Sequence, residues 1–263
     1  MTTERTTMAL GWRVYGLGVM MVGLLGLVWR DFDSGQPVPA HFPARIALAC
    51  AAGALMFLAA AAVEWRRITA WGAAALAAYY TLIVILLMNG PVWLHEYAHY
   101  GTYENLAEQV AAAAGGLIVF ALAARNDGRI SPALAARLTR IGQIAFGLCA
   151  LVFGGAHFVY MNLTAPLVPK WLPPTQVFWG YATGVAFIAA GIAVLTGVKA
   201  RLAAILLTVM IAIFAVLIHE PMLLADHRSH FNWTESAANL VILGVAWVVA
   251  DSLPRPNPRQ ARE

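Results

Sequence analysis

Charged residues are scarce in this chain. They make up 11% of its 263 residues, whereas hydrophobic residues make up 61%, and the mean hydropathy is +0.70. A soluble domain carries about 25% charged and about 45–50% apolar residues. The composition therefore excludes an ordinary soluble protein and indicates an integral membrane protein.

Cysteine is also scarce. The two cysteines, Cys50 and Cys149, each lie in an apolar stretch, and the sequence contains no C-x-x-C pair. A disulfide framework or a thiol-exchange enzyme is therefore not expected. The sequence also lacks a flavin, dinucleotide or phosphate-binding motif, so no nucleotide cofactor is predicted.

Eight long apolar stretches account for most of the chain. A helix crosses the hydrocarbon core of a bilayer with about 20 mostly apolar residues. Such stretches are predicted at residues 10–29, 45–63, 68–89, 105–124, 141–162, 176–198, 202–219 and 234–250. Because lipid offers the backbone no hydrogen-bond partners, each stretch should be helical. The predicted fold is an all-α integral membrane protein, a bundle of eight transmembrane helices embedded in the lipid bilayer.

The distribution of basic residues predicts the orientation of these helices. Thirteen Lys and Arg residues fall at the termini and in the even-numbered loops, and four fall in the other loops. Basic residues concentrate on the cytoplasmic side of membrane proteins, so both termini are predicted to be cytoplasmic, in a bacterial inner membrane. This explains the net charge of +4 without a nucleic-acid partner.

The two halves of the chain match each other at an offset of 131 residues. This offset pairs His99 with His230 and Glu104 with Glu235, within the strings HYGTYENLAE and HFNWTESAAN. Each half contains four predicted helices, so both halves have the same orientation, unlike the inverted repeats of many transporters. The predicted domains are two four-helix repeats, residues 1–130 and 131–263.

Three stretches of the second half carry a family resemblance. They are GGAHFVYMNLTAPLVPKWLPP, TGVKARLAAILLTVMIAIFAVLIH and FNWTESAANLVILGVAWVVADSL. Across residues 140–252 they resemble the DoxX-like family of four-helix membrane proteins, and the first half follows the pattern more loosely. The resemblance implies a four-helix fold for each half. Some members of the family are linked to quinone-dependent oxidation and others resemble assembly factors, so the resemblance implies the fold more directly than the reaction.

A histidine-rich stretch follows the third predicted helix. HEYAH, which begins at His95 and ends at His99, matches H-E-x-x-H, a spacing that on a helix places two imidazoles on one face. A catalytic zinc needs three protein ligands, and Glu104 or Glu108 could be the third. However, Pro91 and Gly101 limit any helix here to about two turns. A metal site of His95, His99 and Glu104 and a plain polar loop at the membrane surface both remain open.

The repeated glutamates, Glu104 and Glu235, allow two interpretations. Each is predicted in the first turn of a helix, where a carboxylate complements the helix dipole. Asn232, three residues before Glu235, even resembles a capping box. The accompanying histidines, His99 and His230, are not explained in this way and favour a binding site.

Two histidines lie within or at the edge of predicted helices. These are His157 and His219, and Glu220 follows the second. Ionisable groups at such positions are costly and usually face the bundle interior or a wet cavity. Histidine exchanges protons near neutral pH, and an adjacent carboxylate can tune its pKa. His219 and Glu220 are therefore the predicted catalytic pair.

A quinone is the predicted cofactor, because its head group needs proton donors and acceptors at the membrane edge. The residues predicted to bind it are His157, His230, Glu235, Trp179 and Tyr181. The histidines and the glutamate would exchange protons with the head group, and the aromatic rings would stack on it. The aromatic residues are equally explained by an interfacial belt.

Three functions remain open from the sequence. The favoured one is a quinone-linked oxidoreductase component with its site on the periplasmic side, which passes electrons to a periplasmic or membrane redox partner protein. The second is a protein that binds a metal or haem with its outward-facing histidines. The third is a non-catalytic membrane scaffold or assembly factor.

Overall fold

The computed structural model describes residues 10–254, and all regular secondary structure in this range is helical. Eight segments are long and apolar enough to cross a membrane. We number them α1 to α8: Gly11–Trp29, Arg45–Glu64, Thr69–Glu96, Tyr100–Asn126, Pro132–Val159, Gln176–Thr196, Ala200–Ala225 and His230–Ser252. The predicted number and order of apolar helices are thus confirmed. Four of the basic residues used to predict orientation, Arg5, Arg255, Arg259 and Arg262, lie outside the described residues.

Several helices begin earlier than predicted, because their first residues are polar. α5 begins at Pro132 rather than at residue 141, and Ser131 caps it by accepting a hydrogen bond from the Leu134 N–H at 3.2 Å. α4 and α8 begin at Tyr100 and His230, four to five residues before the predicted starts. A hydropathy pattern detects the apolar part of a helix and misses such polar ends.

Two of the helices contain π-helical segments. Tyr79–Asn89 lies within α3, and Ala215–His219 lies within α7. π-helical turns are rare and occur frequently at functional sites. In α3 the segment buries Tyr79, Tyr80 and Asn89, so three polar side chains enter the interior of the bundle from one helix.

The helices pack with α4 at the centre. α1 packs against α2 and α8, and α5 packs against α6 and α4. α3 packs against α2 and α4, while α7 packs against α6 and α8. Of the eight apolar windows, that of α4 is the most buried, at 72%. Side chains of α4 therefore point at several neighbouring helices at once.

Glycines allow the close crossings between helices. α1 crosses α2 at Gly23 and Gly53, where a Cβ on Gly23 would lie 2.7 Å from the Gly53 carbonyl oxygen. α5 crosses α6 at Gly154 and Gly184, and a Cβ on Gly154 would lie 2.7 Å from the Gly184 carbonyl oxygen. Small residues at these points let the backbones approach and gain van der Waals contact.

Candidate functional site

The connection between α1 and α2 folds into the end of the bundle and is held there by α3. The Tyr79 hydroxyl donates to Gln36 Oε1 at 2.6 Å, and the Asn89 amide donates to the Gly35 carbonyl at 3.0 Å. Gln36 Nε2 in turn donates to Asp33 Oδ2 at 2.9 Å. Gln36 and Asn89 are 2% and 4% exposed, so this connection is a fixed part of the core.

A cavity of about 40 Å³ lies next to this connection, where α1, α3, α4 and α8 meet. This volume holds about three water molecules. The polar part of its lining comes from Asp33, Ser34, Glu108, Gln109 and Thr234. A ring-sized ligand does not fit this volume, so the cavity is suited to water or a small ion.

Four carboxyl groups lie in or beside this cavity, and we call them the carboxyl cluster: Asp33, Glu104, Glu108 and Glu235. Glu108 interacts electrostatically with the other three, and Glu104 also interacts with Glu235. The Ser34 hydroxyl donates to Glu235 Oε1 at 3.4 Å, which connects α8 to the α1–α2 connection. Two of the predicted site residues, Glu104 and Glu235, are thus brought together, although they lie in different halves of the chain.

His230 is the basic group that faces this cluster. It is the first residue of α8, and its ring stacks on Trp29, the last residue of α1, with ring centroids 5.0 Å apart and an interplanar angle of 17°. The His230 Nε2 atom is buried and has no hydrogen-bond partner among residues 10–254. The positive charge of protonated His230 acts on Asp33.

Burial raises the pKa of the Asp33 carboxyl above its ordinary value. Hydrogen bonds from Gln36 and from the Gly35 N–H, together with the charge on His230, lower this pKa but do not offset the burial. The folded protein therefore holds the Asp33 proton more tightly than the unfolded chain does.

We expect Asp33 to make the folded protein less stable as the pH rises above 3.8, the ordinary value for this group. Below that pH both states are protonated, and Asp33 has no effect. Above it the unfolded chain releases its proton first, which favours unfolding until the pH passes the raised pKa. Asp33→Asn removes this titration. We therefore expect the thermal midpoint of Asp33→Asn minus that of the wild type, both measured in detergent, to increase as the pH is raised from about 4 to about 8.

A control separates this effect from a general change of surface charge. Glu96→Gln removes a carboxylate that is exposed at the end of α3, so its midpoint should follow that of the wild type at every pH. A difference between Asp33→Asn and the wild type that stays constant with pH would contradict the prediction.

His157 lies apart from this cluster, between α5 and α6. Its Nδ1 lies 2.8 Å from the Phe153 carbonyl oxygen, and because a carbonyl only accepts, Nδ1 carries the hydrogen and donates. In neutral His157 the Nε2 atom is therefore the acceptor. The ring lies 5.4 Å from that of Phe187, which lies 6.3 Å from Phe214 of α7.

His219 and Glu220 are neighbours in sequence but do not form a bonded pair. His219 ends the π-helical segment of α7 and is half-buried, and its Nδ1 is buried without a partner among the described residues. Glu220 is exposed. Within residues 10–254, no hydrogen bond, ion pair or ring contact joins His219 to Glu220 or to His157.

The predicted stacking residues lie at the start of α6. The Trp179 Nε1–H donates to the Pro173 carbonyl at 2.9 Å. Tyr181 packs against Phe158 of α5, with ring centroids 5.5 Å apart, and is 45% exposed. Among the described residues neither ring pairs with a histidine, and this placement is the one expected of an interfacial aromatic belt.

The HEYAH segment does not place two imidazoles on one helical face. α3 ends at Glu96, and His99 has an extended backbone immediately before α4. His95 and His99 are both exposed. Across residues 10–254, no group of three or more His, Cys, Asp or Glu could hold a metal ion. The predicted site of His95, His99 and Glu104 is not formed, because the helix stops between the histidines.

The helix-dipole interpretation of the repeated glutamates is also wrong. The first turns of α4 and α8 contain no acidic residue, because both helices begin earlier than predicted and place Glu104 and Glu235 in the second turn. Ser229 caps α8 by accepting the Asn232 N–H at 3.2 Å, so the predicted capping box at Asn232 does not form. The two carboxyl groups instead belong to the carboxyl cluster, in which both interact with Glu108.

Sequence reasoning did not select Asp33 or Gln109, and it named Glu108 only as an alternative zinc ligand. Glu108 follows Glu104 by four residues on α4, so both lie on one helical face, and this spacing was a usable signal. Asp33 lies in a connection whose burial depends on contacts with α3, and no local pattern indicates it. Gln109 precedes a run of alanines and resembles an ordinary polar residue near a helix start.

By length and composition, the eight helices are consistent with a multi-pass membrane protein. Residues 146–250, from the middle of α5 to the end of α8, match the family model described as Domain of unknown function (DUF8561). This match covers less than half of the chain. No curated protein and no solved structure matches the chain.

Proposed function

We propose that this protein is a DoxX-like component of a quinone-linked oxidoreductase in a bacterial inner membrane, with its termini in the cytoplasm and its site at the periplasmic side. The observation that carries the proposal is the state of His157. Its Nδ1 donates to the Phe153 carbonyl, which leaves Nε2 of the neutral ring as an acceptor, and the ring neighbours that of Phe187. A hydroquinone hydroxyl requires such an acceptor at the edge of the membrane.

The proposed architecture is two four-helix repeats of the same orientation, residues 1–130 and 131–263. The helix packing supports this architecture. In the first half α1 packs against α2 and α8, and its counterpart α5 packs against the counterparts of those helices, α6 and α4. The glycine crossing of α1 with α2 also recurs 131 residues later in the crossing of α5 with α6. In this arrangement the ends of α1 and α5, with Trp29 and His157, lie on the same membrane face.

In the proposed reaction a hydroquinone loses two protons and two electrons. His157 Nε2 accepts the first proton, and the half-buried His219, which precedes the exposed Glu220 in the sequence, accepts the second. The electrons pass to a periplasmic or membrane redox partner protein, which is the oxidant. The quinone head group would lie against Phe187, while its tail stays in lipid at the outer surface of α5 and α6.

The test is direct binding of a soluble quinone. We expect ubiquinone-1 to quench the tryptophan fluorescence of the detergent-purified protein with saturation. His157→Leu should weaken this binding about tenfold, as expected for the loss of one hydrogen bond of about 1.4 kcal/mol. His95→Leu, at an exposed histidine in HEYAH, is the matched control and should bind as the wild type does.

Two outcomes would count against the quinone proposal. Unsaturable quenching, equal in all three proteins, would favour a scaffold or assembly role. Stoichiometric metal or a haem absorption band in the purified protein would instead indicate that the histidines hold a metal centre.

A further inference from the structure

The cavity beside Asp33 contains negative charge that its surroundings do not balance. Glu108 interacts with Asp33, Glu104 and Glu235, and the described residues that line the cavity include no Lys or Arg. His230 supplies at most one positive charge. Carboxyl groups this close together in a shielded site do not all stay ionised, because each charge disfavours the others.

The neutral groups around the cavity do not change this balance. α3 contributes the hydroxyls of Tyr79 and Tyr80, which donate to Gln36 and to the sulfur of Met56. From α8, the Thr234 hydroxyl donates to the Phe231 carbonyl at 3.0 Å. α1 contributes Val22, and the Trp29 ring is stacked on His230. Among residues 10–254 the cluster is thus faced by one basic group, and the carboxyl groups can lower their remaining charge by binding protons.

Gln109 gives independent evidence that the cavity has an occupant. Its side chain is only 8% exposed, lines the cavity and makes no hydrogen bond to another described residue. The amide lies against the α1–α2 connection, since a Cβ on Gly35 would be 2.2 Å from Gln109 Nε2 and 3.1 Å from Asp33 Oδ1. A buried amide is normally hydrogen-bonded, and the cavity that Gln109 lines is the space in which water can bind it.

We propose that the cavity is a proton-binding site, in which enclosed water links the carboxyl groups of Asp33, Glu108 and Glu235, and these groups share at least one proton at neutral pH. The Gln109 amide binds the enclosed water. Glu104 lies beside the site and adds to the repulsion that keeps the proton bound. Ser34 is exposed and bonded to Glu235, so proton exchange with the outer solution passes this residue.

The described residues form this site once. At the positions 131 residues further along the sequence, Asn239 and Leu240 replace Glu108 and Gln109. A second cluster of this kind is therefore not built in the other half. The proposal predicts one shared-proton site in each chain and does not depend on quinone chemistry.

Infrared spectroscopy of the purified protein tests this proposal, because a protonated carboxyl has a C=O stretch that a carboxylate lacks. At neutral pH we expect a protonated-carboxyl band that shifts in D₂O and disappears at alkaline pH. Glu108→Gln should remove the band or shift its titration towards acid. Glu96→Gln, which removes an exposed carboxylate, should leave the protonated-carboxyl band unchanged. Size-exclusion chromatography reports whether each variant is folded.

A second variant tests the enclosed water without removing a carboxyl group. Gly35→Ala would push the Gln109 amide into the cavity and displace water, so the titration of the band should change although all four carboxyl groups remain. The proposal is overturned if the band is absent at neutral pH, or persists unchanged in Asp33→Asn, Glu108→Gln and Glu235→Gln. A carboxylate band that responds to added Na⁺ or Ca²⁺ would also overturn it, because a cation would then replace the proton. The infrared experiment uses no added quinone, so a negative result for the proton site does not bear on the proposed function.

Discussion

Replacing Gly244 by alanine is expected to prevent formation of the eight-helix bundle. Gly244 lies where α8 crosses α1, and a Cβ there would lie 2.3 Å from the Tyr15 nitrogen and 2.4 Å from the Tyr15 Cα. These are backbone atoms, which can move only if the two helices separate. Overpacking costs about 1–3 kcal/mol even where side chains can adjust, so a backbone collision should exceed this range.

The separation of α1 from α8 would disturb a third helix as well. Tyr15 is fully buried, and its hydroxyl donates to the Ala112 carbonyl of α4 at 2.9 Å. A shift of α1 therefore removes a buried hydrogen bond in addition to the contact at Gly244. The total is a large fraction of a typical folding stability of about 5–15 kcal/mol.

The yield of monodisperse protein after detergent extraction measures this effect. We expect it to fall about tenfold or more in Gly244→Ala. Gly90→Ala is the matched control, since Gly90 is also helical and an added Cβ would meet only the Ile85 carbonyl oxygen, at an ordinary 3.6 Å. Equal yields of the two variants would mean that α1 and α8 are not in backbone contact at Gly244.

The apolar helices could be predicted from the sequence because span length and hydropathy are local properties. Their ends could not be placed in the same way. α5 begins at Pro132 because Ser131 caps its first turn, and hydropathy misses this start because Arg137, Thr139 and Arg140 follow within nine residues. The π-helical segment Tyr79–Asn89 has no sequence signal, because its register depends on contacts made after the helices pack.

A residue of the candidate site could be predicted from the sequence only where a local sequence pattern includes that residue. Glu104, His230 and Glu235 were selected because the spacing recurs in both halves. Asp33 was not selected as a site residue, because its position depends on the hydrogen bond from Gln36 and on the contacts of the α1–α2 connection with α3. The same limit left HEYAH open between a metal site and a polar loop, because the spacing suits a metal site only if the segment is one continuous helix.

Asn89→Leu is expected to release the α1–α2 connection from the bundle and to destroy the carboxyl cluster with it. The Asn89 amide donates to the carbonyls of Gly35 and Val84, both at 3.0 Å, and the side chain is 4% exposed. Leucine has a similar size but no donor. Each buried group left without its partner costs about 1–3 kcal/mol, and Gly35 adjoins Ser34, which bonds Glu235.

Trypsin sensitivity at Arg30 and Arg45 reports release of the connection, and thermal unfolding in detergent reports the loss of stability. Asn105→Leu is the matched control, because Asn105 also donates to this connection, at the Ser34 carbonyl, but from a position that is only partly buried. We expect rapid cleavage and a lower midpoint in Asn89→Leu and small changes in Asn105→Leu. Equal behaviour of the two variants would contradict the role given to Asn89.

The infrared band of the proposed proton site adds a readout to the same pair of variants. If the π-helical segment of α3 positions Asp33 through Asn89 and Tyr79, then Asn89→Leu should lose the protonated-carboxyl band although every carboxyl group is still present. Asn105→Leu should retain it. A band that survives in Asn89→Leu after the connection has become sensitive to trypsin would show that Glu108 and Glu235 hold the proton without Asp33. The cluster would then be a property of α4 and α8 alone, and the π-helical segment would serve only to stabilise the bundle.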